Sequence, residues 1–598
     1  MIYRNNLNHI WSELIIEELI RNGIDLFCIS PGSRSTPLTA AAAYNKKAKK
    51  IISYDERGSG FYALGFGQAS QKPAAIIVTS GTAVANLYPS VIEAFQSKIP
   101  MIILTADRPP ELQKAGANQT INQENIFGNY TRWFFNMPCP DYNINPSFVL
   151  SNIDNAIRLS MSEPKGPVHL NFMFREPLEP FDSEDNVLDK NYLSEIEQWT
   201  NKTGSYWNFV RTLKNCDKYP YEKILELISI NKKGLISIGR LSSDDERKYI
   251  LKLLNILKWP VYADIISGLR FKKSAGTNII KHFDMNILSS VFCENAKPEV
   301  VLHFGERITS KRFFEFLKAY RPEIFINVKN DNVRYNPEHL ALTTIEADIC
   351  NFCDCLTNMI KKIKQKEDFR SFYDKKACQA QKIIDRNIKE EKALNEVFIA
   401  RYISKNLSEE FCLFLSNSMP VRDFELYSDC KDLNIKVGSN RGASGIDGVI
   451  ASAAGFATGN KKAGILVTGD IAFIHDINSL SLLGRSDFPL IVVLINNNGG
   501  GIFNFLPISG FKEIFDEYFV TPHGYQFAGA AENFKIKHNS AYNKNDFKDL
   551  FEDAKLSAKN KKESSIIEAH TNGEYDFKFR KKIKYEIIEM LEDKSIIF

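Results

Sequence analysis

The sequence lacks an apolar block near its start. MIYRNNLNHIWSELI puts polar residues where a signal peptide would need one. A membrane span is missing as well, since the clean apolar run PLIVVLI in the C-terminal half falls far short of the ~20 residues a bilayer requires. There is little excess charge: 76 basic and 72 acidic side chains leave +4. That balance argues against a nucleic-acid coat or a membrane-hugging surface, so any basic site has to be local. The ten cysteines have no disulfide-like spacing. Cys350, Cys353 and Cys355 cluster, but no second cysteine pair or nearby histidine completes a tetrahedral metal set. They read as ordinary thiols of a reducing cytosol. A strand–GxGxxG–helix fingerprint is also absent, because Gly58, Gly60 and Gly65 do not fit that spacing. The expectation is a cytoplasmic protein whose central α/β unit holds neither a flavin nor a nicotinamide cofactor.

What is present is a long chain, 598 residues with 44% apolar side chains, enough for three or four domains at about 150 residues each. Short β-branched runs alternate with helical stretches, the pattern of parallel α/β sheets. The first set is DLFCIS, AAIIVTS, PMIILTAD and GPVHLNF. A polar connector follows, then GLISIGR, PVYADI, EVVLHFGER and EIFINV. The lysine-rich passage IKKIKQKEDF leads into FCLFLSNS, IKVGSN, GILVTGD, PLIVVLINNN and SSIIEAH. The reading is three doubly wound parallel-sheet α/β domains, 1–180, 216–370 and 371–598, with a linker at 181–215. The first and third units are candidates for a common topology.

The strongest chemical signal is in the third unit. GILVTGD ends in Gly469-Asp470, and PLIVVLI ends in Asn496-Asn497-Asn498-Gly499; from 470 to 497 is 27 positions. Both polar ends then fall at the C-terminal edge of neighbouring parallel strands, where open α/β sheets bind ligands. Asp470 and Asn497 offer hard oxygens to Mg²⁺, a backbone carbonyl near Gly499 adds a third, and phosphate oxygens and water complete the shell. A helix starting after Asp470 would aim its amides at a diphosphate. Either end alone reads as an ordinary turn; the pair at this spacing reads as a site.

These residues resemble the thiamine diphosphate-dependent enzymes, whose cofactor motif opens Gly-Asp-Gly and closes with Asn-Asn. Ile471 stands at the third position here. Such enzymes need a carboxylate beside the aminopyrimidine ring, and an apolar strand ending in Asp55-Glu56-Arg57 makes Glu56 the candidate. Alone, Glu56 would read as an acid at a helix N-terminus.

Further segments are similar to one family, the 2-succinyl-5-enolpyruvyl-6-hydroxy-3-cyclohexene-1-carboxylate synthases of menaquinone biosynthesis. They are SPGSRSTPL (30–38), DERGSGF, TSGTAVANLYP (79–89), TADRPPEL with GANQTINQ (105–123), TSKR (309–312), SNSMPVRD (416–423), SNRGASGIDG (439–448) and NNNGGGIFNFLP (496–507). A non-glycine residue at position 471 is usual in that family.

The resemblance implies that 2-oxoglutarate is decarboxylated on thiamine diphosphate and the resulting carbanion adds to isochorismate. It implies Mg²⁺, with Mn²⁺ as an alternative, and a homodimer or dimer of dimers with active sites at the subunit interface. The first unit becomes the pyrimidine-binding domain and the third the diphosphate-binding domain. By position, Glu56, Thr82, Ile446, Gly469, Asp470, Ile471, Asn497 and Ile502 are matched to the cofactor, and Asp470, Asn497 and Gly499 to the metal. Both substrates are dicarboxylates, and the matched cations are Arg34, Arg108, Lys311, Arg312, Arg422 and Arg441. Arginine suits carboxylates because its planar fork makes two parallel hydrogen bonds. Ser33, Gln119 and Ser418 are matched as polar substrate contacts, and Phe503 and Leu506, with Ile502, as the apolar wall. The alternative within the cofactor class, an acetolactate synthase-like carboligase or another 2-oxo acid decarboxylase, would not need so many arginines. A non-catalytic nucleotide-binding α/β protein would need neither Glu56 nor the Asp470/Asn497 pair.

Overall fold

The computed structural model describes residues 6–180, 187–210, 214–215, 217–230, 233–272, 279–335, 338–340, 343–360, 368–429 and 432–592. The central part of the lysine-rich passage at 360–369 and two stretches of the linker expected at 181–215 lie outside them.

Three wholly parallel sheets carry the chain. The first has the spatial order β2 (Lys49–Ile52), β1 (Leu26–Ile29), β3 (Ala75–Val78), β4 (Met101–Asp107), β6 (Pro167–Met173) and β5 (Trp133–Met137). The second runs β11 (Thr343–Glu346), β10 (Ile324–Lys329), β9 (Val300–Phe304), β7 (Gly234–Ile238) and β8 (Val261–Ala263). The third runs β13 (Val437–Gly438), β12 (Phe411–Leu415), β14 (Ala463–Gly469), β15 (Leu490–Asn496), β17 (Ser565–His570) and β16 (Lys537–Ala541). Counted within each unit, the first and third sheets share one order, 2-1-3-4-6-5. Their central strands are continuous apolar runs because helices cover both faces. β4 and β15 are buried at every position.

One apolar core is common to the first and third units, joining Ile76, Val78 and Phe61 to Ile450, Leu466 and Leu494. Two helices make that junction, Glu56–Ser70 and Val449–Asn460. Their backbones touch through glycine. A Cβ at Gly65 would come within 1.9 Å of the Ser452 carbonyl oxygen, and one at Gly455 within 2.0 Å of the Tyr62 carbonyl oxygen. The glycine-rich passage after Glu56 is therefore a close-packing face. Overpacking such a contact typically costs about 1–3 kcal/mol. The C-terminal helix Gly573–Glu592 packs on the central unit through Phe579, Ile583 and Ile587.

Much of the described part of the 181–215 stretch is docked onto the first unit, while Lys214 and Asn215 bond to Asp348 and Asn351 of the central unit. The Trp199 Nε1–H donates to Glu18 Oε2 (2.6 Å), the Tyr206 N–H to Glu18 Oε1 (2.7 Å) and the Trp207 N–H to Asp154 Oδ2 (2.8 Å). Of the three clustered cysteines, all on the helix Ile349–Ile360, Cys353 is buried and Cys355 exposed.

Candidate active site

β14 and β15 pair in the register Thr468↔Leu494 and Gly469↔Ile495, so their last residues finish side by side. Across β14 lies β12, whose end runs into Ser416-Asn417-Ser418. Between β12 and β14 the strand order reverses, and crevices at such switch points bind ligands.

Asp470 is buried at this edge. Its Oδ1 accepts the N–H of Ile471 (2.7 Å) and its Oδ2 the N–H of Gly499 (2.9 Å). The His523 Nε2 lies 3.2 Å from the same Oδ2. Burial raises the Asp470 pKa, opposed chiefly by the Gly499 N–H. The helix that was expected after this residue begins at Asp470 itself and lasts only six residues, Asp470–His475. Its Ile471 amide is already bonded to the Asp470 side chain, so the helix offers an anion less than the sequence suggests.

Asn497 comes from the next strand end. Its Nδ2–H donates to Glu396 Oε1 (2.7 Å), whereas its Oδ1 is buried with no hydrogen-bond partner among the described residues. An orphaned buried amide oxygen costs free energy unless something answers it. Gly499 has φ +140°, and a Cβ there would meet the Val520 carbonyl oxygen at 2.2 Å. Its carbonyl oxygen accepts the N–H of Gly501 (2.9 Å) and keeps a second lone pair. A carboxylate and an unanswered amide oxygen at one edge, without sulfur, fit Mg²⁺ or Mn²⁺ rather than a soft metal.

These groups open into a cavity of about 600 Å³. It brings together Ser418, Arg422, Arg441, Ile446, Gly469, Asp470, Ile471, Asn497, Gly499, Ile502, Phe503 and Leu506, twelve positions matched from sequence. Ser418 has φ +68°, the one strained residue at the start of the helix Met419–Tyr427, and its carbonyl oxygen accepts an Arg422 Nη1–H at 2.5 Å. Arg441 Nη1–H donates to Asn417 Oδ1 (2.8 Å). Burial first, then the Arg422 guanidinium, pull the Arg441 pKa down to about 10. Burial also lowers that of Arg422. Guanidinium groups crowded this way favour a bound anion.

An adjoining cavity of about 330 Å³ shares Met419, Arg422, Ile502 and Leu506 with the first and adds Lys311 and Arg312. Arg312 is held by Asp284 Oδ2 (2.6 Å), while Lys311 is exposed beside Glu315 (3.3 Å).

The remaining matched residues line neither cavity. They lie at the corresponding edge of the first sheet, where Ser33 and Arg34 follow β1, Glu56 follows β2, Thr82 follows β3 and Arg108 follows β4. Arg34 donates from Nη1 to the Phe174 carbonyl (3.0 Å) and from Nη2 to Glu176 Oε1 (3.3 Å). Burial and then the nearby Arg108 lower its pKa. Arg108 donates to Ser80 Oγ (3.1 Å), and the Gln119 Nε2–H donates to the Ser80 carbonyl (3.0 Å). Ser33 and Thr82 are exposed. Glu56 is half-buried, its Oε2 accepting the Asn86 Nδ2–H (3.1 Å).

Sequence reasoning missed Glu396, Arg307, Asn417 and His523. Arg307 ends the run EVVLHFGER and Asn417 stands inside a matched segment, so both had a local signal. Glu396 and His523 had none, because a helix start and a glycine-containing loop carry no trace of the strand ends they meet.

Comparison with known proteins agrees with this geometry. The profile of the N-terminal thiamine pyrophosphate-binding domain of thiamine pyrophosphate enzymes matches residues 11–126, that of their middle domain 190–415, and that of their C-terminal thiamine pyrophosphate-binding domain 437–569. Among relatives, the 2-succinyl-5-enolpyruvyl-6-hydroxy-3-cyclohexene-1-carboxylate synthase of Pelodictyon phaeoclathratiforme is 40% identical over 95% of this chain and 93% of its own length. The proteins of that name from Prosthecochloris aestuarii and Rubrobacter xylanophilus are 38% and 39% identical over 98% and 88% of this chain, and 98% and 90% of their own lengths. With all three domain profiles in order and relatives aligned over most of their length, this chain belongs to the thiamine diphosphate-dependent 2-succinyl-5-enolpyruvyl-6-hydroxy-3-cyclohexene-1-carboxylate synthase family.

Proposed function

We propose that this protein joins a decarboxylated 2-oxoglutarate unit to isochorismate, as a homodimer or dimer of dimers acting on soluble acids in the cytoplasm. The observation that carries the reading is the pairing of Asp470 with the unanswered Asn497 Oδ1, in a cavity walled by Arg307, Arg422 and Arg441. Asp470, Asn497 and the Gly499 carbonyl would hold Mg²⁺ or Mn²⁺ against a diphosphate. When bound, thiamine diphosphate supplies a nucleophilic carbon that also accommodates the electrons left by loss of CO₂.

This chain's own residues then have distinct tasks. Asp470 tethers the metal, and Ile446 and Ile502 give an apolar lining that excludes water from the reacting region. Arg422, Arg441 and Arg307 receive carboxylates, and their mutual repulsion makes a dianion a better occupant than a monoanion. Ser418 and Asn417 orient the polar end of the donor, while Phe503 and Leu506 close the apolar side. Arg312 and Lys311 extend the cationic wall into the adjoining cavity, room for a second acid. Glu56, with Thr82, Ser33, Arg34, Arg108 and Gln119, would complete the site from a second subunit. There the Glu56 carboxyl holds and moves a proton at the pyrimidine ring nitrogen. Support for that arrangement is the absence of all six from the cavity lining of their own chain.

The test is product formation from 2-oxoglutarate plus isochorismate, followed by mass spectrometry, with pyruvate as competing donor. A strong preference for 2-oxoglutarate is expected; equal use of pyruvate would sink the donor assignment. In calorimetric titration with thiamine diphosphate and Mg²⁺, Asp470→Ala should show no measurable binding. Near-normal affinity would overturn the metal assignment.

A further inference from the structure

A set of charged side chains with no task so far borders the two cavities, Glu396 in the lining of the first and Arg580 in that of the second. Arg580 is almost fully buried on the C-terminal helix and is shared by two carboxylates. Its Nη2–H donates to Glu396 Oε2 (2.5 Å) and to Asp423 Oδ2 (2.6 Å), and its Nε–H to Asp423 Oδ1 (3.0 Å). Glu396 opens the helix Glu396–Asn406, and its backbone N–H donates to Asp576 Oδ1 (3.1 Å). Its remaining oxygen, Oε1, accepts the Asn497 Nδ2–H.

That last bond has a consequence for a metal. The two ends of an asparagine amide have nearly the same shape, and the surroundings alone decide which end faces a given direction. A carboxylate on one side accepts only, so it takes the NH₂ and turns the oxygen the other way. Here the oxygen is turned away from Glu396, buried and without a partner among the described residues, on a side chain that lines the cavity. The close approach of Gly501 adds to the constraint, for a Cβ there would stand 2.8 Å from Asn497 Nδ2.

We propose that Glu396 is a positioning residue for the metal: its carboxylate, clamped by Arg580, fixes the Asn497 amide with its oxygen aimed at the cation. The inference rests on the metal site proposed above.

The experiment exchanges donor and acceptor. In Glu396→Gln, Arg580 retains the side-chain oxygen and the NH₂ group faces Asn497, whose amide must then flip and turn its own NH₂ toward the metal. Adding Asn497→Asp restores an acceptor opposite that NH₂ and conserves the total charge. The readout is Mn²⁺ affinity, measured by electron paramagnetic resonance with thiamine diphosphate present, on the full-length protein. Wild-type protein that bound no Mn²⁺ would dispose of the underlying metal reading before any variant is made.

Groups that orient metal ligands from outside contribute about 10–100-fold to metal affinity. Glu396→Gln should lose that much, and the double variant should regain most of it. Wild-type affinity in the single variant overturns the proposal, and so does a loss that the double variant fails to recover. If Glu396→Gln does not fold, Glu396→Asp takes its place. It keeps a charge for Arg580 but is one methylene too short for Asn497, and it should show the same loss. Asp423→Asn is the packing control: it removes the charge of the other partner of Arg580 without touching the Glu396–Asn497 bond, and should lower the melting temperature while leaving Mn²⁺ affinity within about threefold. A fall in Mn²⁺ affinity as large as that of Glu396→Gln would mean that general packing, not amide orientation, is responsible.

Discussion

Arg441 shows what a single side chain contributes here. It is 9% exposed, bonded to Asn417, and close enough to Arg422 that the two guanidinium groups disfavour each other's charge. In the function proposed above, a substrate carboxylate would relieve that repulsion. Removing one member of a desolvated charge contact costs about 2–5 kcal/mol, because the partner charge stays buried and unpaired. Arg441→Ala is therefore expected to weaken use of at least one dicarboxylate by tens- to thousands-fold, with thiamine diphosphate affinity nearly unchanged. Steady-state kinetics with each substrate varied, beside a cofactor titration, check both halves. At this scale the matched motifs were legible, since each charge sits within a few residues of a strand end. Glu396 was not, because its partner is 101 positions away and the helix that carries it has ordinary composition.

Among elements, the strands missed by sequence reading were Trp133–Met137, Thr343–Glu346 and Lys537–Ala541, and each is at a sheet edge. Edge strands bury less of their surface, so TTIE and KHNSA carry no apolar run. The linker is a second case. Its sequence is polar, yet Glu18 and Asp154 seize its backbone and Trp199. Burial, and then the adjacent Glu18 carboxyl, push the Asp154 pKa up to about 8. The folded state thus holds a proton that the unfolded chain releases near the usual carboxylate value. The stability from that proton is present in acid and lost as pH rises through about 8. Asp154→Asn copies the protonated form. Its thermal midpoint should fall less than that of wild type between pH 6 and pH 9, and parallel declines would show that the pair does not share a proton.

For the whole molecule, the decisive fact is that two sheets of the same order present two similar edges. Asp470 and Asn497 stand at one, Glu56, Ser33 and Arg108 at the other, and the glycine-lined helix pair joins the units between them. In the arrangement proposed above, a complete site would form where the edge of the first unit of one chain meets the edge of the third unit of another. Glu56→Gln should cost about a hundred- to ten-thousand-fold in activity. Mixing it with the inactive Asp470→Ala protein under subunit exchange should restore activity, since a mixed dimer has one site with both residues intact. Confirmed exchange without recovery would exclude a shared site.

The amino-acid order by itself determined the three parallel sheets, the strand ends that carry Asp470 and Asn497, and the family. The sheets and strand ends are written in short apolar runs and the polar residues that stop them, and the family in the motifs it resembles; all of these are local patterns. Only the tertiary structure decided which way the Asn497 amide faces, which arginines share a cavity, and that Glu56 stands outside that cavity in its own chain. Those outcomes depend on contacts between residues tens to hundreds of positions apart, and neither periodicity nor composition carries any record of them.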